Sequence, residues 1–357
     1  GGRRNLVING AMLVNERGTT STSTGYQTCD RWQFGGSYNG TATQSQEDMG
    51  YTTVPYDLGF RKSFKITNGN NSSAGAADNM EITYGFEGQD IANSGWDYVN
   101  SKAEITLSFW VKSSVAQTFY GYFRTFEGTS AKFSFPIVCS TTNWEFKTVS
   151  VVGESNFASN VYNSFRNDNS RDLIIRIVPF YGTNYTDSGA INNAWQNYSS
   201  STITPDYDTT WFLTNGATFE ITGVQLEVGT QATAFEHRTY AEEIQLCKRY
   251  YQRLPGYGDH YMFGLARAES NSARTGIPVP VPMRAAPTVA CNGSRTFKDG
   301  YNSESTDTPT IVSSSDWISS SSTYTIDFGG HNLAHNNMYA LMSKTTSKNA
   351  LTLDSEL

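Results

Sequence analysis

Charge is scarce in this chain, and so are the features that announce a membrane, a nucleic acid or a familiar catalytic motif. Only 17 % of its 357 residues are Asp, Glu, Lys or Arg, against about 25 % in an average domain. After the opening Gly1-Gly2-Arg3-Arg4 no Lys/Arg-rich run follows, and the formal charge is −7. That excludes the positive footprint of a nucleic-acid binder. No stretch approaches the roughly 20 apolar residues that cross a bilayer, and no signal peptide is visible, so membrane insertion is not expected. The four cysteines, Cys29, Cys139, Cys247 and Cys291, are spaced too widely for a CxxC metal pattern or a dense disulfide framework. Reduced, mostly buried thiols are expected, in keeping with assembly in a reducing cytoplasm. No GxSxG elbow, HExxH or P-loop occurs. No fixed-period repeat occurs either, which speaks against a β-helix or propeller. The chain opens on Gly1 and not Met, as removal of an upstream segment or a fragment would leave it.

What is abundant is aromatic and small polar. Tyr, Phe and Trp make up 13 % of the residues. This composition argues against disorder and favours short strands joined by polar turns. The clearest strand is Glu104–Lys112, where Ile105, Leu107, Phe109 and Val111 alternate with Glu104, Thr106, Ser108 and Trp110. Phe119–Arg124, Trp144–Val151, Leu173–Val178 and Thr218–Glu227 read as further strands. Their density predicts a two-sheet sandwich, a jelly roll, over residues 1–236.

One segment departs from this background. In His237–Leu254, Thr239 and Glu242 form a capping box. Acids stand early and Lys248, Arg249 and Arg253 late, as the helix dipole prefers. Tyr240, Ile244, Cys247, Tyr251 and Leu254 recur at spacings of three and four. The pattern predicts a helix over about 239–253, within a connecting segment 237–256 that Pro255-Gly256 ends. Residues 257–357 then read as a smaller C-terminal β domain. In it, Ile277–Met283 places Pro at every second position, predicting an edge strand or a polyproline-like segment. Ser313–Ser322 reads as a loop, and Tyr324–Phe328 and Ala350–Asp354 as late strands. A β domain of this size buries proportionately little surface alone, so self-association is expected, with Tyr240, Ile244, Cys247 and Tyr251 as interface residues.

Several segments together resemble the virion structural proteins of tailed bacteriophages, particularly tail fibres and related appendages. They are Arg4–Met12 with Glu16-Arg17-Gly18 and Cys29-Asp30-Arg31-Trp32; Leu107–Ser114; Gly223–Gly229 with Ala232-Thr233 and Phe235–Arg238, running into Glu242-Glu243 and Cys247–Tyr251; Val281–Val289; and the terminal Asp354–Leu357. The resemblance implies a carbohydrate-binding-module-like jelly roll in a rigid homotrimeric appendage, located in the virion beside other virion proteins and attaching to a host-surface polysaccharide. It carries no catalytic residues and implies no cofactor. The alternatives are a capsid or neck fibre or decoration protein without a glycan site, and a polysaccharide-depolymerising spike.

Sugar recognition pairs an aromatic face with amides and acids that reach hydroxyls. Phe180–Tyr198 is rich in these, which makes Tyr181, Tyr185, Trp195 and Tyr198 glycan-binding candidates; Trp96, in Gly95-Trp96-Asp97-Tyr98, is a fifth. Trp110 and Trp144, lying in strands, read as packing residues and Trp32 as core. His331 and His335 form an i, i+4 pair between turn-forming residues, where exposed histidines outweigh a metal site. Asp206 and Asp208 flank Tyr207 and read as loop acids or contributors to a calcium site.

Overall fold

The computed structural model describes residues 4–159, 161–254, 262–269, 272–291, 294–298, 310–313, 323–329, 338–344 and 351–357. The His331/His335 pair lies outside them. The chain is mainly β and divides into two compact units, Gly1–Glu243 with Leu357, and Ile244–Glu356.

The first unit is a jelly-roll sandwich. Its strands are β1 (Thr20–Ser21), β2 (Trp32–Ser37), β3 (Thr41–Asp48), β4 (Lys62–Gly69), β5 (Asn79–Glu87), β6 (Glu104–Ser113), β7 (Gln117–Thr125), β8 (Ala131–Cys139), β9 (Glu145–Val152), β10 (Arg171–Tyr181), β11 (Trp195–Asn197) and β12 (Thr218–Val228). One sheet runs β1-β3-β4-β12-β6-β9 and the other β11-β8-β7-β10-β5-β2, all pairs antiparallel. Alternation decides what each face does. Leu107, Phe109 and Val111 of β6 meet Ile82, Phe86, Ile175 and Ile177 of the other sheet in one buried cluster. The partners Ser108, Trp110 and Lys112 are left on the outer face. Trp32 is fully buried, and its indole N–H donates to the Asn9 carbonyl at 3.1 Å.

The N-terminal segment packs on β12, with the Leu6 N–H donating to the Leu226 carbonyl and the Val224 N–H to that of Gly10, both at 2.9 Å. The approach is so close that a Cβ on Gly10 would collide with the Val224 carbonyl.

In the second unit, Tyr251–Leu254, Leu351–Asp354 and Thr288–Cys291 form a three-stranded sheet. Ser294–Lys298, Met338–Lys344, Met262–Glu269, Ser272–Pro278, Thr323–Gly329 and Thr310–Ser313 form a six-stranded one, in that spatial order. The proline-alternating segment is edge-like where it lies in a strand. Ser272–Thr275 is paired on both sides, but Ile277 and Pro278 pair only with Tyr324 and Thr323, and residues 279–283 lie outside any strand. Arg284 donates from Nε to the Ser355 carbonyl at 2.8 Å, and its own N–H bonds the Arg249 carbonyl. The Val281–Val289 motif and the chain's last residues are thereby one structure.

The helix is shorter than its periodicity suggests. It spans Tyr240–Cys247, and the chain re-forms as a strand at Tyr251. The capping box is present: the Thr239 N–H donates to Glu242 at 2.8 Å, and the Glu242 N–H to the Thr239 hydroxyl at 3.3 Å. Along the proposed interface stripe, Cys247 and Tyr251 are buried within the single chain, Ile244 is half-buried and Tyr240 is exposed. Cys247 and Tyr251 are thus unavailable to a second copy, because residues 251–254 turn into the three-stranded sheet.

Candidate functional site

Two outer sheet faces carry aromatic residues, and they are used differently. On the second sheet, the 182–209 loop folds down over β7, β8 and β10. Its carbonyls at Thr202 and Ile203 accept from the Lys132 ammonium, the latter at 2.9 Å, and the Ser134 hydroxyl also donates to Ile203 at 2.6 Å. The aromatic candidates read from the sequence pin this loop. Tyr181 is buried, donates to Glu81 at 2.6 Å and lies 3.0 Å from the Tyr122 hydroxyl. Burial pushes both phenols well above their ordinary pKa, so they stay protonated donors. Tyr185 tilts on Tyr181 at 5.1 Å between ring centres. Trp195 donates to the Val152 carbonyl at 2.8 Å and packs edge-on to Phe157. Tyr198 lies 3.7 Å from the Arg124 guanidinium carbon. Trp96 is a core residue, packed near Tyr98 and Phe165. Tyr181 and Trp96 are closed to any ligand, and the other three have their faces or polar atoms engaged. These five do not form one open platform. The Asp208 carboxylate accepts from the Thr210 N–H at 2.7 Å, just before the Thr210–Leu213 turn, and Asp206 accepts from the Thr186 hydroxyl at 2.5 Å. Among the described residues no cluster of metal-ligating side chains occurs.

On the first sheet the outer face is open. Trp110 of β6 stands opposite Phe146 of β9, with ring centres 5.3 Å apart. Trp110 is half-buried and Phe146 exposed by 46 %. On the other flank, β12 bulges between Thr222 and Gln225, with Gly223 at φ +63°. A Cβ there would stand 2.7 Å from the Phe60 ring and 3.2 Å from Trp110, so the bulge glycine lets both rings lie down on the sheet. The result is a cavity of about 490 Å³, floored by Trp110, Phe60 and Gly223 and bordered by Phe146, Leu58 and Ser108.

Its far wall is the 232–237 strap, which contains Phe235 and His237. Polar side chains of the Gly223–Arg238 motif hold this strap. Glu227 accepts from the Thr233 N–H at 2.8 Å and from its hydroxyl at 2.6 Å, and the Glu236 N–H donates to Gln225 at 2.8 Å. Arg238 is the pin: it donates to the Asn5 carbonyl at 2.6 Å and the Val7 carbonyl at 3.1 Å, and pairs with Glu236 at 2.9 Å and Glu243 at 3.3 Å. The His237 ring packs on Phe60 and Phe235, with Nε2 2.9 Å from the Leu58 carbonyl oxygen.

One two-residue step along β6, about 7 Å, Lys112 lines a second cavity of about 270 Å³ with Asn143, Trp144, Thr52 and Thr53. Lys112 pairs with Glu220 at 3.4 Å. Glu145, next to Trp144, is held down to about 2: burial pushes it up, but the Lys147 ammonium and the Thr141 N–H bind the carboxylate and outweigh burial. The face thus offers aromatic surface, an amide, hydroxyls and an ammonium in a row. Trp110 and Trp144 do pack, against the Ala11, Met49 and Phe60 cluster, as expected from the sequence, but each also lines a cavity on the outer face, and Phe146 was not singled out in the sequence. The available signal was phase: Trp110 shares the outward register of Glu104, Thr106 and Ser108.

No protein-family model and no curated protein matches this sequence. Solved structures resemble the fold at low identity. TmCBM61 in complex with β-1,4-galactotriose is 10 % identical, with a TM-score of 0.31 over 64 % of this chain and 100 % of that one. The CBM22-1–CBM22-2 tandem domain of Paenibacillus barcinonensis Xyn10C is 9 % identical, with a TM-score of 0.26 over 100 % of this chain and 97 % of that one. The Stig cyclase Fisc from Fischerella sp. TAU is 8 % identical, with a TM-score of 0.36 over 64 % and 99 %. At these values the likeness carries no argument, and a functional reading rests on this chain's own residues.

Proposed function

We propose that this chain is a non-enzymatic structural protein of a tailed-bacteriophage virion, a tail fibre or similar appendage. In this reading the sandwich holds a host-surface glycan against the Trp110/Phe146 face, and the chain works as a homotrimer. The observation that carries the glycan reading is the pairing of an open aromatic surface with a polar neighbour. The rings offer a flat apolar patch suited to the C–H face of a pyranose, and Ser108, Thr233, Asn143 and Lys112 add polar groups to the linings of the two cavities. Attachment through such shallow sites gains strength from copies: three or more linked sites raise effective concentration without a tight single site. The virion assignment is supported by the sequence motifs, whose residues form the strap and the Arg284 clamp described above.

The test is adhesion and mass measured together. Labelled chain is expected to bind host cells, Phe146→Ala to lose that binding, and the solution mass to be three times 39.4 kDa. A monodisperse monomer at micromolar concentration refutes the trimer. Undiminished adhesion by Phe146→Ala refutes the site.

A further inference from the structure

The outer face of the second sheet carries positive charge that the reading above does not use. Arg124 on β7 and Arg171 and Arg176 on β10 lie there. Arg176 is matched: it pairs with Glu81 at 2.7 Å and donates to the Tyr122 hydroxyl at 2.8 Å. Arg124 and Arg171 are not. Neither guanidinium has an ion pair or hydrogen bond among the described residues, and Arg124 Nε is buried without a partner. Both instead lie against rings. The guanidinium carbon of Arg124 is 3.7 Å from the Tyr198 centre and 4.9 Å from that of Phe126, while that of Arg171 is 4.6 Å from the same Phe126. Arg171 is exposed, its stem beside Leu357 over Gly85.

Each guanidinium carries five N–H donors in a planar fork, and leaving such donors partly desolvated without acceptors is unfavourable. The charges also feel one another. Desolvation chiefly, and then Arg176 and Arg124, hold the Arg171 pKa below its ordinary value against an opposing effect of Tyr26. In a chain with net charge −7, two cations that share the Phe126 ring, neither of them ion-paired among the described residues, form a local positive site. Stacking occupies ring-facing surfaces and leaves the guanidinium edges, the part that binds planar oxyanions.

We propose that Arg124 and Arg171 form a second binding site, for the oxyanion of an acidic polysaccharide, with the guanidinium edges taking the oxygens of one carboxylate, sulfate ester or phosphate ester. The site lies on the opposite sheet from the Trp110 platform and does not depend on it.

The experiment is calorimetric titration of the full chain with polygalacturonate, at low and at physiological salt, with inorganic sulfate as competitor. Binding is expected at low salt, weakened by added salt and displaced by sulfate. Arg171→Gln, an exposed substitution with an unchanged melting temperature expected, weakens binding about tenfold, the order of one charge-assisted contact. The same variant keeps any neutral glycan held by the platform, which separates failure of this site from failure of the other. Arg171→Lys restores only part of the affinity, because the ammonium lacks the fork. Failure of the full chain to bind the polymer at low salt overturns the proposal. So does a folded Arg171→Gln that binds undiminished, or a polymer that sulfate cannot displace.

Discussion

Gly223→Ala is the sharpest perturbation of the candidate site that leaves every polar group in place. At φ +63° an alanine pays the left-handed cost of an L residue, about 1 kcal/mol or somewhat more. Its methyl would stand 2.7 Å from Phe60 and 3.2 Å from Trp110. Phe60 is buried against Ala11 and Met49, so it has little room to retreat, and overpacking of this kind costs about 1–3 kcal/mol. Together the loss is about 2–4 kcal/mol. For a unit of this size that lowers the melting temperature by about 4–16 °C. Scanning calorimetry of the full chain should show the sandwich transition moving down by this amount. Glycan binding should fall with it, because the displaced rings no longer lie flat. A shift under about 1 °C with unaltered binding would refute the reasoning that the bulge glycine exists to seat those rings.

Further outcomes follow from the same contacts. Arg238→Ala, which strips two carbonyl bonds and two carboxylate partners from the strap, should destabilise the sandwich by about 2–4 kcal/mol in urea unfolding. Arg238→Lys should recover less than half, since one ammonium cannot serve all four partners. Glu145 is depressed to about 2 in the folded chain, against an ordinary value of 4.5. Its stabilising contribution is therefore present above pH 4.5 and lost as the pH falls towards 2. Glu145→Gln should lower the melting temperature at pH 6 and have a vanishing effect near pH 2. Cys29, Cys139 and Cys247 are buried thiols outside any disulfide, and burial pushes the Cys139 thiol up to about 12. A thiol reagent should label at most one cysteine per native chain and four after denaturation.

The strands were legible because alternation is local. Glu104–Ser113, Glu145–Val152 and Thr218–Val228 lie within a residue or so of where the period-two pattern predicts them. The end of the helix was not. Tyr251 and Leu254 continue a three-four spacing, yet they also suit a strand, and pairing with Leu351–Asp354 nearly 100 residues later decides the matter. The packing of the aromatic candidates was not legible either, for a related reason. Aromatic density in Phe180–Tyr198 is a local property, but whether a ring is open depends on what covers it. Those phenols and indoles find carbonyls, Glu81 and Arg124 beneath a loop. Phe60, Trp110, Phe146 and Phe235 come from four distant segments, and only the outward register of Trp110 and Phe146 hinted at their use. The Glu227–Arg238 motif was visible as a pattern, while its work as a strap needed partners at residues 4–9.

The most direct measurement of the central claim is titration of a neutral oligosaccharide, chosen from a glycan-array screen of the full chain, into wild type, Phe146→Ala and Phe146→Tyr. Phe146 is exposed, so its removal tests contact and not folding. The account expects binding by wild type, a loss of about tenfold or more in Phe146→Ala, and near-wild-type binding by Phe146→Tyr. Equal affinity in all three would contradict it.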